Sequence, residues 1–344
     1  MIEFYRLKNI KSIIKLFVAY VYAWYLSGIP SFLFKDRWNY QRYATYSSSL
    51  LEDYMEKGYL FFFKEPLFLL FNTWLSGFND PSFTINFFVF FICFIVCLFA
   101  QKVSKNIVLF IFFILFLFFN TQTFAIQLVT IRQGVALGLL LLLFLYFKKY
   151  IKNYLTLIIF IGILGTIHNS FFIVAFGLFI DWFCTNILKR KELKFRLIVN
   201  FFVVLLFNIL LIVALAKLLD VKQQISDDFD SSSGGGGFLL WGIVFVYILI
   251  YKPQQYENKT DFYMYMLSLT GLIMYLTSYF LSPISGRLIG VYIPFILYIL
   301  LNQLKLIDLV FTGVLFVIFT VIFISGGVEG FLQVPFSYLK RYLI

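Results

Sequence analysis

The sequence predicts an all-α, polytopic integral membrane protein with about eleven transmembrane helices. Three observations predict it. Of 344 residues, 62% are hydrophobic and 13% charged, whereas soluble domains average about 45–50% and about 25%. The mean hydropathy is +0.91. The apolar residues fall into runs near the roughly 17–25 residues a membrane helix needs, separated by short charged connections.

Taken in order, the chain opens with Arg6, Lys8, Lys11 and Lys15 ahead of apolar Leu16 to Phe34. That run is too long for a secretory leader and has no small-residue cleavage site, so it reads as an uncleaved first span over 13–34. A long outer segment, 35–81, follows. It contains amphipathic stretches and a pre-span helix starting at Glu65-Pro66, since proline suits the first helical position. Further spans are expected at 82–101, 106–121, 131–147, 152–167, 169–185 and 196–218. Segment 220–237 holds Asp227, Asp228 and Asp230, then three serines and four glycines, a flexible composition. The acidic cluster is a weak candidate for a divalent cation, and no metal site is predicted. The last spans are expected at 237–251, 262–281, 287–302 and 306–324. The whole chain, 1–344, reads as a single membrane domain without internal repeats.

Charge sets the orientation. Lys/Arg clusters at 6–11, 102–105, 148–152, 189–196, 252–259 and 305 occupy every second connection, while the opposite loops carry acidic residues such as Glu52, Asp53, Glu65 and Asp80. By the positive-inside rule the N-terminus is cytoplasmic and the segments 35–81 and 220–237 are outside. The net charge of +11 is spread over these loops, with no basic stripe on a soluble fold, so nucleic acid is excluded as a partner. Cys93, Cys97 and Cys184 sit in apolar runs and read as small buried hydrophobes.

Arg132, Arg287 and the single histidine, His168, stand out because polar groups inside a span are costly and by default functional. Counted at about 1.5 Å per residue from the nearest cytoplasmic lysine, they lie about 24, 27 and 24 Å up, just within the outer boundary of a core about 30 Å thick. Each has polar neighbours: Gln127, Thr130 and Gln133; Asn169 and Ser170; Ser282 and Ser285. This pattern predicts a polar cavity open to the outside. Two guanidiniums suit a phosphate or pyrophosphate. His168, or an outer carboxylate such as Glu65 or Asp36, suits a general base. Trp38, Tyr40, Tyr43, Tyr46, Tyr54 and Tyr59 suit either sugar stacking or an interfacial aromatic belt.

In order along the chain come Asp36 with Tyr40 and Tyr43, then Lys64-Glu65-Pro66-Leu67-Phe68, Ile131-Arg132-Gln133-Gly134-Val135-Ala136, Ile167-His168-Asn169-Ser170 and Gly286-Arg287. Together they resemble the EpsG-type, Wzy-like polysaccharide polymerases of bacteria, whose Arg-Gln and His-x-Ser motifs they match. Val334-Pro335-Phe336 departs from the Pro-Tyr expected near the end. The resemblance implies a glycosyltransferase at the outer face of the bacterial plasma (inner) membrane, joining undecaprenyl-pyrophosphate-linked oligosaccharide repeat units for capsule, O-antigen or exopolysaccharide. It implies a lipid-linked donor and acceptor, no cofactor, and a flippase and a chain-length regulator as partners. In this reading Arg132 and Arg287 bind the pyrophosphate and His168, with Glu65 the next choice, is the catalytic base. Gln133, Asn169, Ser170, Asp36 and Tyr40 position substrate. The alternatives are a polysaccharide ligase using the same donor, a membrane acyltransferase, and a non-enzymatic flippase or exporter. A transporter would also need charge lining the inner half of the spans, where Asp181 and Asp308 are expected to pair with the cytoplasmic basic clusters instead.

Overall fold

A computed structural model gives the fold and describes residues 2–56, 58–77, 80–189, 191–218, 235–252, 256, 258–281, 284–302 and 305–343. Most of segment 220–237, with its aspartates, and Ser282 lie outside the described residues. In chain order the α-helices are α1 (Ile2–Ser27), α2 (Arg37–Met55), α3 (Pro66–Ser76), α4 (Pro81–Val103), α5 (Ile107–Phe119), α6 (Thr121–Leu128), α7 (Ile131–Tyr146), α8 (Tyr154–Leu164), α9 (Ser170–Ile187), α10 (Leu193–Leu218), α11 (Gly236–Tyr251), α12 (Lys259–Ser278), α13 (Ile284–Asn302), α14 (Leu306–Ile322) and α15 (Phe336–Leu343). Among the described residues no strand forms beyond an isolated bridge between Phe34 and Leu332.

Five segments are long and apolar enough to cross a membrane: Pro81–Val103, Ser170–Ile187, Leu193–Leu210, Ser285–Asn302 and Leu306–Gly327. A sixth arises if α5 and α6, bent by 83°, count as one span, and further apolar helices are shorter. Two expected spans are corrected. The first helix stops at Ser27 rather than 34, because Gly28 and Pro30 follow and proline has no amide to extend the ladder. The stretch 106–121 does not run straight into a loop. Asn120, in an extended conformation, ends α5 and caps α6 by accepting from the amides of Gln122 and Thr123, both at 3.1 Å. The polar stretch expected to be a connection is thus a buried helix.

The chain clusters into two compact units. The first comprises 1–150, 163–171 and 310–344, so it includes the tip between α8 and α9. Its centre is α4, started by Asp80, whose carboxylate accepts from Phe83 N at 2.7 Å, and by Pro81. Helices α1, α2 and α7 pack on α4. The abundant phenylalanines form a ladder of mostly tilted and edge-on pairs at 5.2–5.7 Å, including Phe112–Phe316, Phe116–Phe319, Phe118–Phe323, Phe124–Phe323 and Phe323–Phe336. Cys93 and Cys97 are buried, as expected.

The second unit, 151–162 and 172–309, is built around α12 and α13. Asp308 pairs with Lys252 at 2.8 Å and accepts from the Tyr247 hydroxyl at 2.6 Å. Asp181, expected to pair with basic residues, accepts from the Tyr154 hydroxyl at 3.0 Å and Asn200 Nδ2 at 3.2 Å, with the charge of Arg196 acting on it as well. Cys184 is buried here.

One glycine decides how α7 is held. A Cβ at Gly134 would overlap the Ile126 carbonyl oxygen and the Ile92 side chain, so only hydrogen lets α7 close on α6 and α4. Gly134→Ala is expected to cost about 1–3 kcal/mol of overpacking, more than the roughly 1 kcal/mol gained in helix propensity. Gly313→Ala, where a Cβ meets nothing within 4 Å, keeps that gain. Thermal unfolding of the purified variants checks this: Gly134→Ala melts below the wild type and Gly313→Ala does not.

Candidate functional site

Helix α3 begins at Pro66, and the residue before it, Glu65, is left-handed with φ 56° and ψ 50°. Among the described residues it is the only non-glycine with positive φ. A residue ahead of proline normally extends, and holding it here costs on the order of 1–3 kcal/mol. The α8–α9 tip supplies the restraint on both sides. Leu67 N donates to Thr166 O at 3.1 Å, and Asn169 Nδ2 donates to Phe63 O at 2.9 Å.

The strained backbone aims the Glu65 carboxylate at two candidate residues from different elements. Oε2 pairs with a terminal nitrogen of Arg132, in the first turn of α7. Oε1 lies 2.7 Å from His168 Nδ1 and 3.4 Å from the Asn169 amide. The Glu65 side chain is 9% exposed, against 28% for Arg132 and 20% for His168. Burial pushes the Glu65 carboxyl up, but the His168 hydrogen bond, the Arg132 charge and the Asn169 amide outweigh it and hold the group below its ordinary value. An ionised carboxylate only accepts, so Nδ1 carries the proton shared with Glu65 and Nε2 is the ring nitrogen left for a second partner.

Arg132 is fixed on its other side by aromatic faces. Its guanidinium carbon lies 5.7 Å from the ring centre of Tyr40 and 5.1 Å from that of Tyr43. Both tyrosines project from α2 and meet Phe68 of α3 edge-on. Burial raises the Tyr40 hydroxyl, and Arg132 only partly offsets it. Beyond Tyr43, Arg132 helps line a cavity of about 610 Å³ with Asn39, Arg42, Tyr46, Ser49, Leu50 and Tyr54.

Of the residues expected from sequence, the fold therefore brings Glu65, Arg132, His168, Asn169 and Tyr40 together. Asp36 is the N-cap residue of α2, makes no side-chain cap bond and does not join the Glu65 cluster. Gln133 is buried and does not line the cavity; Ser170 is buried at the start of α9. Arg287 belongs to the second unit, where it is exposed in the first turn of α13. Among the described residues no group of three or more potential metal ligands occurs.

Two residues were not legible as site residues. Arg42 sits in segment 35–81, expected to be a loop, where cations are unremarkable, although the spacing of 39, 42, 43, 46, 50 and 54 marks one helical face. Arg37 is fully buried. Its Nε donates to Leu128 O at 2.8 Å and its guanidinium lies 5.0 Å from the Phe34 ring. It thereby caps the C-terminal end of α6, where carbonyls lack partners and a cation is favoured, just ahead of the turn that leads to Arg132.

A family model described as the EpsG family matches residues 13–328. The chain belongs to the EpsG family. This is a family of Wzy-like polysaccharide polymerases, and the chain is a multi-pass membrane protein with a role in polysaccharide synthesis. No curated protein and no solved structure matches it. Val334-Pro335-Phe336 falls beyond the residues matched to the EpsG family.

The depressed carboxyl of Glu65 makes a signed prediction. A group whose folded pKa is below its unfolded one stabilises above the ordinary value, and the effect is lost as pH falls through the folded value. The wild type is therefore expected to melt above Glu65→Gln near neutral pH. The gap should narrow as the pH drops below the ordinary carboxyl value of 4.5. Melting temperatures of both proteins across pH 3–7 in one detergent check it; a gap that widens toward acid contradicts the ion-pair assignment.

Proposed function

We propose that the protein is a membrane glycosyltransferase, a repeat-unit polymerase that joins undecaprenyl-pyrophosphate-linked oligosaccharides at the outer face of the bacterial plasma membrane. The observation that carries this reading is the Glu65 carboxylate, which holds together a guanidinium and an imidazole of the family's two motifs, the guanidinium at the edge of a cavity. The alternation of Lys/Arg clusters supports eleven spans with the N-terminus inside, and with 35–81, the start of α7 and the end of α8 outside. Donor and acceptor are both lipid-linked in that leaflet, so their reacting groups meet the protein at this depth. A flippase and a chain-length regulator are the partners this role needs.

The chemistry proposed is direct displacement. The acceptor hydroxyl attacks the anomeric carbon of the donor, a C–O bond forms, and the bond to the phosphate oxygen breaks. The bonding pair leaves with the carrier pyrophosphate, and the hydroxyl proton passes to His168 Nε2. Glu65 keeps the imidazole in the tautomer that can accept it and stabilises the imidazolium that forms. Arg132 faces the charge that grows on the leaving pyrophosphate. Asn169, tied to Glu65 and Phe63, orients the turn that carries His168. Gln133, Ser170, Asp36 and Arg287 enter this reading on sequence context alone, Arg287 as a second phosphate contact and the others as positioning residues.

Purified protein in nanodiscs, given one lipid-linked repeat unit, is expected to yield a ladder of multimers and free carrier pyrophosphate. Transfer to a different acceptor without a ladder makes it a ligase, and no transfer with lipid movement makes it a flippase. Arg132→Ala is expected to slow single turnover by about 10²–10³ and His168→Ala by about 10²–10⁴, with unchanged accumulation in the membrane. Full-length polymer from Arg132→Ala would sink the pyrophosphate role, and an unchanged pH–rate profile in His168→Ala would remove it as the base. For Arg287→Ala, a rate equal to the wild type removes that residue from the reaction.

A further inference from the structure

The mechanism above uses one wall of the cavity beside Arg132 and leaves the other, the exposed face of α2, without a role. That face is built for a ligand. Asn39, Arg42, Tyr43, Tyr46, Ser49, Leu50 and Tyr54 recur at helical spacing and line the cavity together. The adjacent face of the same helix, with Arg37, Tyr40, Ala44 and Ser47, is buried, so α2 is fixed from behind. The helix is kinked at Tyr46, whose φ of −113° and ψ of 20° are not helical, midway along the cavity wall.

The lining has a definite chemistry. It holds two guanidiniums and no carboxylate, although α2 and its flanks carry Asp36, Glu52, Asp53 and Glu56. Arg132 already spends part of its charge on Glu65. Among the described residues Arg42 has no carboxylate at ion-pair distance, and it is exposed. Around the guanidiniums the lining also holds Tyr46, Tyr54, Ser49 and Asn39, which offer aromatic faces together with hydroxyl and amide groups. An anion next to a polyhydroxylated ring fits that sequence of groups, and an acyl chain does not. The volume, about 610 Å³, lies in the range of small-molecule sites, about 300–1,000 Å³.

We propose that the cavity face of α2 is the glycosyl-pyrophosphate subsite, in which Arg42 joins Arg132 on the pyrophosphate and Tyr46 and Tyr54 stack on the first sugars. The proposal rests on the polymerase reading for the identity of the ligand, but its binding part does not require turnover. It makes α2 a specificity element: the arginines take what every lipid-linked substrate shares, and the tyrosines take what differs between repeat units.

The test uses full-length protein in nanodiscs and two probes, undecaprenyl pyrophosphate without sugar and the same lipid carrying a repeat unit. Arg42→Gln is expected to weaken binding of both probes about tenfold, the loss of a charge-assisted bond. Tyr46→Ala is expected to weaken only the saccharide-bearing lipid, and Tyr46→Phe to restore it, because stacking needs the ring and not the hydroxyl. Arg42→Lys keeps the charge and controls for folding. If Arg42→Gln binds both probes within about twofold of the wild type, the subsite is overturned. Equal losses on both probes in Tyr46→Ala overturn the stacking assignment. A wild type that binds both probes but makes no polymer fails the polymerase reading while leaving the subsite standing.

Discussion

The structure of the first unit turns on one carboxylate. Glu65 is the point where α3, the first turn of α7 and the α8–α9 tip meet, and it meets each through a polar contact. In an apolar chain, a half-buried arginine or histidine without a partner would carry a penalty. Glu65 offsets both at once, at the cost of a left-handed backbone ahead of proline. Strain of that kind persists where the surroundings over-determine it. Here the hydrogen bonds from Leu67 to Thr166 and from Asn169 to Phe63 do so.

The surroundings of this node are arranged to keep Arg132 in place. Gly134 lets α7 lie against the backbone of α6, Asn120 turns α5 into α6, and Arg37 caps the far end of α6. Tyr40 and Tyr43 close over the guanidinium from α2. Each of these contacts acts on position rather than on charge. The result is a cation that cannot swing away and still presents part of its surface to a cavity, which is what electrostatic preorganisation requires.

Much of this was legible in the sequence, and the reasons differ by element. The apolar runs carry a strong periodic signal, so α4, α9, α10, α13 and α14 fall close to their expected ranges. The start of α3 was readable because proline at a first turn has one meaning. Arg132 and His168 were readable because a polar group in an apolar run is expensive. What escaped was whatever depends on tertiary placement. Helix α6 hid in a short polar stretch whose amides are satisfied by Asn120. Arg37 and Arg42 looked like ordinary loop cations, and only packing separates the buried one from the one in the cavity wall.

Glu65 is thus read as the residue through which His168 and Arg132 act together. The most direct measurement is a double-mutant cycle on single-turnover rates, with Glu65→Gln, His168→Ala and the pair. If Glu65 works by holding His168, the pair is no slower than the slower single variant, because the second change removes an interaction already gone. Rate losses that multiply would show that the two residues act independently and would contradict the account.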